Sequence, residues 1–300
     1  MQTTLEQSER HGPVPAGEAP LPKLRPWWLG LRWGNLLMIA LTQWLLILAL
    51  EWDVTPISYG PLVVLTLSTM VIAGGGYLIN DYFDIPTDTI NCPNRMWIRD
   101  AHPVILYRIG GAHGVALMSG WALGGPLPMV FGASCVLLWL YAWRFKSQPL
   151  WGNLLVALLM ALAVLLPGWY LASWKAPGAA WIFYAAFAFW LGLIREWVKD
   201  AQDRQGDHLA GRKTLPVLMG PYRTRLWLSL LMALTLAAVL GLVFLYPLYS
   251  WSFSARIHWL IWLLVWGYGI MKLKAYAWRS LSMLIKVGML LGLMTVFWIA

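Results

Sequence analysis

The sequence predicts an all-α integral membrane protein with nine transmembrane helices. Of its 300 residues, 60% are hydrophobic and 12% are charged, and the mean hydropathy is +0.62. A soluble globular domain carries about 25% charged residues, so this chain cannot cover itself with a water-compatible surface. The chain also contains 22 Trp and 12 Tyr, residue types that favour the membrane–water interface.

Nine apolar runs each approach the ~20 residues that are needed to cross the core of a bilayer. In chain order, the predicted spans are 34–51, 60–80, 104–123, 127–143, 151–172, 179–198, 223–246, 257–275 and 281–299. Residues 1–25 are polar and rich in Pro, Gly and Glu, which predicts a disordered tail. Residues 26–300 are expected to form a single membrane domain.

The placement of Lys and Arg predicts the orientation of these spans. Of the 22 basic residues, only Lys175 and Arg256 fall on the side opposite the N-terminus. Because short cytoplasmic loops carry an excess of basic residues, we expect the N-terminus to be cytoplasmic, in the inner membrane of a bacterium. The two longest internal loops, about 81–103 and 199–222, then lie on the cytoplasmic side. The basic residues form short clusters between apolar runs, a pattern that does not favour nucleic-acid binding.

Two matching groups of aspartates stand out, one after the second span and one after the sixth. In each group the carboxylates fall at positions i, i+3 and i+7, which on a helix places all three on one face. The chain has only 13 acidic residues, and six of them are in these groups: Asp81, Asp84, Asp88, Asp200, Asp203 and Asp207. Acids this scarce and this clustered indicate a site rather than ordinary surface solvation.

The chemistry of these groups predicts a magnesium and diphosphate site. Carboxylates that converge would repel one another unless cations lay between them, and their hard oxygen atoms suit Mg²⁺. Basic residues occupy the same loops: Arg95, Arg195, Lys199, Arg204, Arg212 and Lys213. Mg²⁺ together with Lys and Arg is the composition of a diphosphate site. A diphosphate head on a substrate whose remainder lies among apolar spans predicts an isoprenyl diphosphate.

These motifs resemble those of a known family, the UbiA superfamily of intramembrane prenyltransferases. The motifs are Asn80-Asp81-x-x-Asp84-x-x-x-Asp88 and Arg195-Glu196-x-x-Lys199-Asp200-x-x-Asp203-x-x-Gly206-Asp207. A lesser mark is Arg32-Trp33-Gly34-Asn35 at the first span. The resemblance covers about residues 32–220. It implies nine helices around a central cavity with a cytoplasmic cap, across which the two motifs face each other.

The resemblance also implies roles for individual residues. Asp81, Asp84 and Asp88 are expected to bind one Mg²⁺, and Asp200, Asp203 and Asp207 the other. Within these sets, the predicted catalytic residues are Asp81, Asp84, Asp200 and Asp203, together with Lys199. The predicted substrate-binding residues are Asn35, Asn80, Arg95, Arg195, Lys199 and Lys213, among which Lys199 and Arg95 are expected to contact the diphosphate.

The acceptor of the prenyl group is less sharply indicated. The form Arg195-Glu196-x-x-Lys199-Asp200 is similar to the branch that uses geranylgeranylglyceryl phosphate, and an anionic acceptor would give Arg195 a purpose. An aromatic acceptor, as in quinone biosynthesis, is the alternative. A non-enzymatic transporter, with the carboxylates as ion or proton sites, is the alternative of another class. The expected partners are therefore an isoprenyl diphosphate donor, a lipophilic or phosphorylated acceptor, and membrane lipid.

Overall fold

The described parts of the chain fold into helices. The computed structural model describes residues 30–51, 57–85, 102–245 and 253–299. Within these ranges there is no β-strand, and the nine long helices are α1 Trp33–Leu50, α2 Tyr59–Phe83, α3 His102–Leu123, α4 Leu127–Trp143, α5 Trp151–Leu171, α6 Ala179–Leu209, α7 Leu215–Leu245, α8 Phe253–Lys274 and α9 Trp278–Met294. A four-residue helix, α10 Val296–Ile299, follows, and a 3₁₀ turn, Phe145–Ser147, lies between α4 and α5.

The number of long helices in the described residues agrees with the nine predicted spans. Five of them are long and apolar enough to cross a membrane by length and composition, namely α1, α2, α5, α6 and α7 up to Gly241. Helix α4 is apolar but shorter, at 17 residues. The chain is therefore an all-helical membrane protein. The predicted tail, 1–25, lies outside the described residues, and the single domain over 26–300 stays a prediction.

The prediction of a loop over 199–222 was wrong, because the second acidic motif continues a helix. Helix α6 ends at Leu209, about three turns past the predicted end of the span at residue 198. Asp200, Asp203 and Asp207 lie on one face of this helix. Because that face contacts polar side chains, the helix can continue beyond the apolar part of the span. The true connection is short: Gly211, with φ of +70°, lies between α6 and the start of α7 at Leu215. Helix α7 is itself bent at Gly220, where φ is 76° and ψ is 170°.

Helix α6 contributes residues to both cores of the bundle. Its first turns contribute Trp181 and Tyr184 to a core that also contains residues of α1 to α5. Its middle contributes Leu191 and Ile194 to a second core, formed with α7, α8 and α9. In that second core, the buried rings of Trp262 and Trp266 stack with their centroids 5.1 Å apart. The position of α6 is thereby fixed along most of its length, which holds the acidic motif at its end in place.

Small residues allow α2 to approach its neighbours closely. A Cβ atom at Gly75 would lie 2.3 Å from Nε2 of His113 on α3, and one at Gly76 would lie 2.7 Å from Cδ2 of Leu138 on α4. The glycine run before the first acidic motif therefore serves close helix packing. This packing fixes the end of α2 as firmly as the two cores fix α6.

A comparable close approach between α5 and α6 can be tested by substitution. A Cβ atom at Gly168 would lie 2.3 Å from the ring of Trp181, which is 2% exposed and donates a hydrogen bond of 2.9 Å to Glu51. Because the ring has nowhere to move, we expect Gly168→Ala to destabilise the protein by about 1–3 kcal/mol. Gly110→Ala on α3, where nothing lies within 4 Å, is the matched control and should not destabilise. Thermal unfolding in detergent measures both variants, and equal midpoints would contradict the packing argument.

Candidate active site

The structure places the two acidic motifs next to each other, joined by one guanidinium group. Arg212, in the connection between α6 and α7, donates through Nη2 to Oδ1 of Asp84 at 2.7 Å. Through Nη1 it donates to Oδ1 of Asp207 at 3.2 Å. Asp84 caps the C-terminus of α2, and Asp207 lies in the last turn of α6. Arg212 and Asp84 are 128 residues apart in the sequence. Their contact therefore brings the ends of α2 and α6 together.

The first motif is held by two further basic residues. Arg32, just before α1, pairs with Asp81 at 2.5 Å, and its guanidinium lies 5.1 Å from the ring centre of Tyr77. Lys146, in the 3₁₀ turn, forms an ion pair with Asp84 and donates to the Asn80 side-chain oxygen at 2.8 Å. The Asn80 amide group in turn donates to Asp84 at 2.8 Å. The three described residues of the motif, Asn80, Asp81 and Asp84, are buried.

These partners determine the protonation state of Asp84. Burial by itself would raise the pKa of this carboxyl group, but Lys146 and Arg212 outweigh that effect, and its pKa lies below the ordinary value. Burial opposes the charge of Arg212 as well, yet Asp84 and Asp207 hold its pKa above the ordinary value. Asp84 is therefore ionised at neutral pH.

The second motif is held partly by amide and hydroxyl groups. Asn153, in the first turn of α5, donates to Oδ2 of Asp200 at 2.7 Å. Thr214 donates to Oδ2 of Asp207 at 3.4 Å. One helical turn before Asp200, Glu196 accepts hydrogen bonds from Arg195 at 2.9 Å and from Lys199 at 2.8 Å. This part of α6 thus combines two cations with one buried carboxylate.

Both motifs border a polar cavity of about 410 Å³. Its basic lining residues are Arg32, Lys146, Arg195, Lys199 and Lys286, and its acidic ones are Asp84, Glu196, Asp200 and Asp203. An adjoining cavity of about 250 Å³ has an apolar lining formed by α1, α2, α4, α5, α6 and α9. The two cavities share a wall that consists of Arg32, Asn35, Asn80, Tyr141, Arg195, Glu196, Lys199 and Lys286. A molecule with a charged head and an apolar tail matches this combined shape.

The predicted site residues divide into groups by their position. Asn35, Asn80, Arg195 and Lys199 lie in the shared wall, and Asp84, Asp200 and Asp203 line the polar cavity. Asp81 and Asp207 are buried and paired with Arg32 and Arg212, and neither lines these two cavities. Lys213 is exposed in the connection after α6 and also lines neither cavity. Asp88 and Arg95 lie outside the described residues.

The carboxylates of the described residues do not form a tight cluster. Among those residues, no three His, Cys, Asp or Glu side chains are grouped so that they could hold a metal ion by themselves. The donor set nevertheless fits Mg²⁺, because the cavity presents oxygen atoms of Asp84, Asp200, Asp203 and Asn80. Mg²⁺ is usually bound in proteins through one or two carboxylates, with water and substrate phosphates completing the shell.

Several residues of the site were not among the sequence predictions. Lys146, Glu196 and Lys286 line the polar cavity, and Asn153 positions Asp200. For Glu196 and Lys286 a signal existed, since each is a charged residue within an apolar run, where charges are rare and usually functional. Lys146 carried no such signal, because it lies in a short polar connection where a lysine is ordinary.

Comparison with protein families decides the assignment of the chain. Residues 36–293 match the UbiA prenyltransferase family. The chain belongs to this family. A curated relative of this UbiA-family protein, a digeranylgeranylglyceryl phosphate synthase of Methanopyrus kandleri, is 33% identical over 192 residues. That match covers 61% of this chain and 66% of the relative, so slightly less than two-thirds of the relative's length is matched.

Solved structures of similar fold agree with the family. A digeranylgeranylglyceryl phosphate synthase structure has a TM-score of 0.63 at 19% identity and covers 90% of this chain and 97% of that one. A UbiA homologue from Archaeoglobus fulgidus, bound to GPP and Mg²⁺, has a TM-score of 0.56 at 17% identity and covers 91% of this chain and 99% of that one. At these identities the likeness shows a shared fold.

The ion pairs of Arg212 generate a stability prediction for this UbiA-family protein. Arg212→Met removes the cation that pairs with Asp207 and one of the cations that pair with Asp84, in a place where the Arg212 side chain is 12% exposed. Since an unpaired buried carboxylate is costly, we expect a loss on the order of 2 kcal/mol of unfolding free energy. Arg223→Met, at an exposed arginine in α7, is the control and should change stability little. Both are measured by thermal unfolding in detergent, and equal midpoints would show that Arg212 does not hold the motifs together.

Proposed function

We propose that this UbiA-family protein transfers a prenyl group from an isoprenyl diphosphate to a lipid acceptor that carries a phosphate. The observation that carries this proposal is the junction of the two cavities, where a charged cavity and an apolar cavity share eight lining residues. Such a junction suits a substrate with a charged head and a long apolar tail. The name of the Methanopyrus kandleri relative supports an acceptor of the geranylgeranylglyceryl phosphate type.

The polar cavity would receive the diphosphate head of the donor. Asp84, Asp200 and Asp203 face this cavity and would hold Mg²⁺, with Asn80 beside them. Asp81 and Asp207 complete the set that we propose for the metal, each currently paired with an arginine. When bound, Mg²⁺ neutralises charge on the diphosphate leaving group. The homologue of Archaeoglobus fulgidus, bound to GPP and Mg²⁺, supports this use of the site.

The predicted residues outside these cavities stay part of the proposal. Asp88 would add a carboxylate to the first motif, and Arg95 would contact the diphosphate. Lys213, exposed beside Arg212, would contact a phosphate at the mouth of the site. We further propose that the site opens to the cytoplasm beneath a cap, as the distribution of Lys and Arg predicts. The expected location in a bacterial inner membrane stays a prediction.

Lys199 and the aromatic rings of the cavities assist the transfer itself. The bond between C1 of the prenyl group and the diphosphate oxygen breaks, and the diphosphate leaves with the electron pair. The acceptor hydroxyl oxygen then bonds to C1 and loses its proton, which the oxygen atoms of the released diphosphate can take up. Lys199 stabilises the charge that develops on the oxygen atoms of the leaving diphosphate. Aromatic rings that line the cavities, including Tyr77, Tyr141 and Phe131, can stabilise the positive charge on the prenyl carbon and exclude water from it.

The choice of acceptor can be tested directly with membranes that contain the protein. With geranylgeranyl diphosphate as the donor, we expect a prenylated product from geranylgeranylglyceryl phosphate and little from 4-hydroxybenzoate. Product identity is read by mass spectrometry, with membranes that lack the protein as the control. Preferred prenylation of 4-hydroxybenzoate would overturn the acceptor assignment, and the absence of any prenylated product would count against the transferase itself.

The metal assignment predicts a specific defect in Asp203→Asn. This substitution keeps the size of the side chain and removes an anionic oxygen from the polar cavity. We expect at least a hundredfold loss of turnover and weaker binding of Mn²⁺, used as a paramagnetic substitute for Mg²⁺. In the unchanged protein, EDTA should abolish transfer and added Mg²⁺ should restore it.

Two results would contradict this assignment. One is near-normal turnover by Asp203→Asn, and the other is full activity in chelator. An unchanged thermal midpoint for the variant is required as a control, because a folding defect would also reduce turnover.

A further inference from the structure

We propose that Lys286, together with Arg195 and Asn35, binds the phosphate monoester of the acceptor at a place separate from the aspartates that receive the donor. This inference rests on the proposed function and names the part of the site that selects the second substrate. The residues come from three helices that are distant in sequence: α9, α6 and α1.

Lys286 occupies an unusual position for a lysine. It lies within α9, and its Nζ donates to Oδ1 of Asn35 at 2.7 Å. It belongs to the wall that the polar and apolar cavities share, so its charged end faces the interior of the protein rather than lipid. Among the described residues, no carboxylate lies within ion-pair distance of it, whereas Arg32, Lys146, Arg195 and Lys199 each pair with one carboxylate and Arg212 pairs with two.

The charges around Lys286 leave room for an anion. Arg195 and Lys199 share the single carboxylate Glu196. With Lys286, this part of the wall carries three positive charges against one negative charge. A phosphate monoester carries about −1.5 to −2 at neutral pH, so it would offset an excess of positive charge at this place. Among the described residues, Nε of Arg195 is also buried without a hydrogen-bond partner.

The donor side of the polar cavity differs in its electrostatics. There, each basic residue is matched to an aspartate: Arg32 to Asp81, Lys146 to Asp84, and Arg212 to both Asp84 and Asp207. Carboxylates on that side favour a head group that arrives with a metal ion. The wall around Lys286 favours a head group that arrives without one. The cavity therefore contains two regions of different charge, one for each substrate.

A bound anion would explain why Lys286, a lysine without a paired carboxylate among the described residues, lies inside a helical membrane protein. A charged side chain among apolar helices is costly and is rarely kept without a partner or a function. A neutral amide such as that of Asn35 supplies one hydrogen bond and no opposite charge. A bound phosphate would supply both the charge and the remaining hydrogen-bond acceptors for the ammonium group.

The test compares acceptors that differ only in the phosphate. Lys286→Met is assayed with geranylgeranylglyceryl phosphate and with geranylgeranylglycerol, using geranylgeranyl diphosphate as the donor. We expect the KM for the phosphorylated acceptor to rise about ten- to hundredfold, because a charge-assisted contact is lost. The KM for the donor and turnover with the neutral acceptor should stay within about twofold. Lys286→Arg retains the cation and should recover most of the affinity.

A matched control and an independent measurement accompany this test. Lys274→Met makes the same change at an exposed lysine at the end of α8 and should alter neither KM. Equilibrium binding of the two acceptors to the detergent-solubilised protein, followed by tryptophan fluorescence, requires no turnover. We expect the unchanged protein to bind the phosphorylated lipid more tightly, and Lys286→Met to lose that preference.

The outcomes separate this inference from the proposed function. A raised donor KM in Lys286→Met would assign the lysine to the diphosphate, and equal losses with both acceptors would indicate a structural role. Either result, or an unchanged preference for the phosphorylated lipid, would overturn the inference. If the unchanged protein transfers no prenyl group but its binding preference depends on Lys286, the proposed function fails and the phosphate site stands.

Discussion

The contact of Arg212 with two aspartates is the interaction on which the site depends. One guanidinium group spans Oδ1 of Asp84 and Oδ1 of Asp207, and so joins the end of α2 to the end of α6. Without a cation between them, these helix ends would carry like charges into the same small volume, and they would separate. The basic residues of the protein therefore hold the carboxylates of the two motifs close to one another. Asp84, Asp200 and Asp203, the aspartates that face the polar cavity, lie at these two helix ends.

The other buried ion pairs of the site are better explained by function than by stability. The pairs Arg32–Asp81 and Lys199–Glu196 place charges in an interior that is otherwise apolar. Removing two charges from water costs nearly as much as their attraction returns, so such pairs add little net stability. A chain with 12% charged residues that places nine of them in the lining of one cavity is positioned to bind a charged molecule there.

The sequence allowed the helix count and both acidic motifs to be predicted, but the pairing of the charges lay beyond it. Hydrophobic periodicity and length are local properties, so each span could be located from its own residues. The contacts Lys146–Asp84 and Lys286–Asn35 join residues 62 and 251 positions apart, and no local pattern encodes such a meeting. The extension of α6 to Leu209 was missed for a different reason: the prediction ended the helix where hydropathy fell, although the acids kept helical spacing.

Charge, rather than shape, is the property by which this cavity can tell its two proposed substrates apart. Both have long apolar tails, so the apolar cavity offers little basis for discrimination, since similar hydrocarbon chains differ by small energies. Their heads differ in how they reach neutrality: a diphosphate does so with Mg²⁺, and a phosphate monoester does so with basic side chains. Aspartates such as Asp84 repel a bare phosphate, and Lys286 with Arg195 repels a metal ion. Each substrate's phosphate group is therefore repelled from the site of the other substrate. This arrangement would bring the acceptor hydroxyl to the prenyl carbon in a single relative orientation.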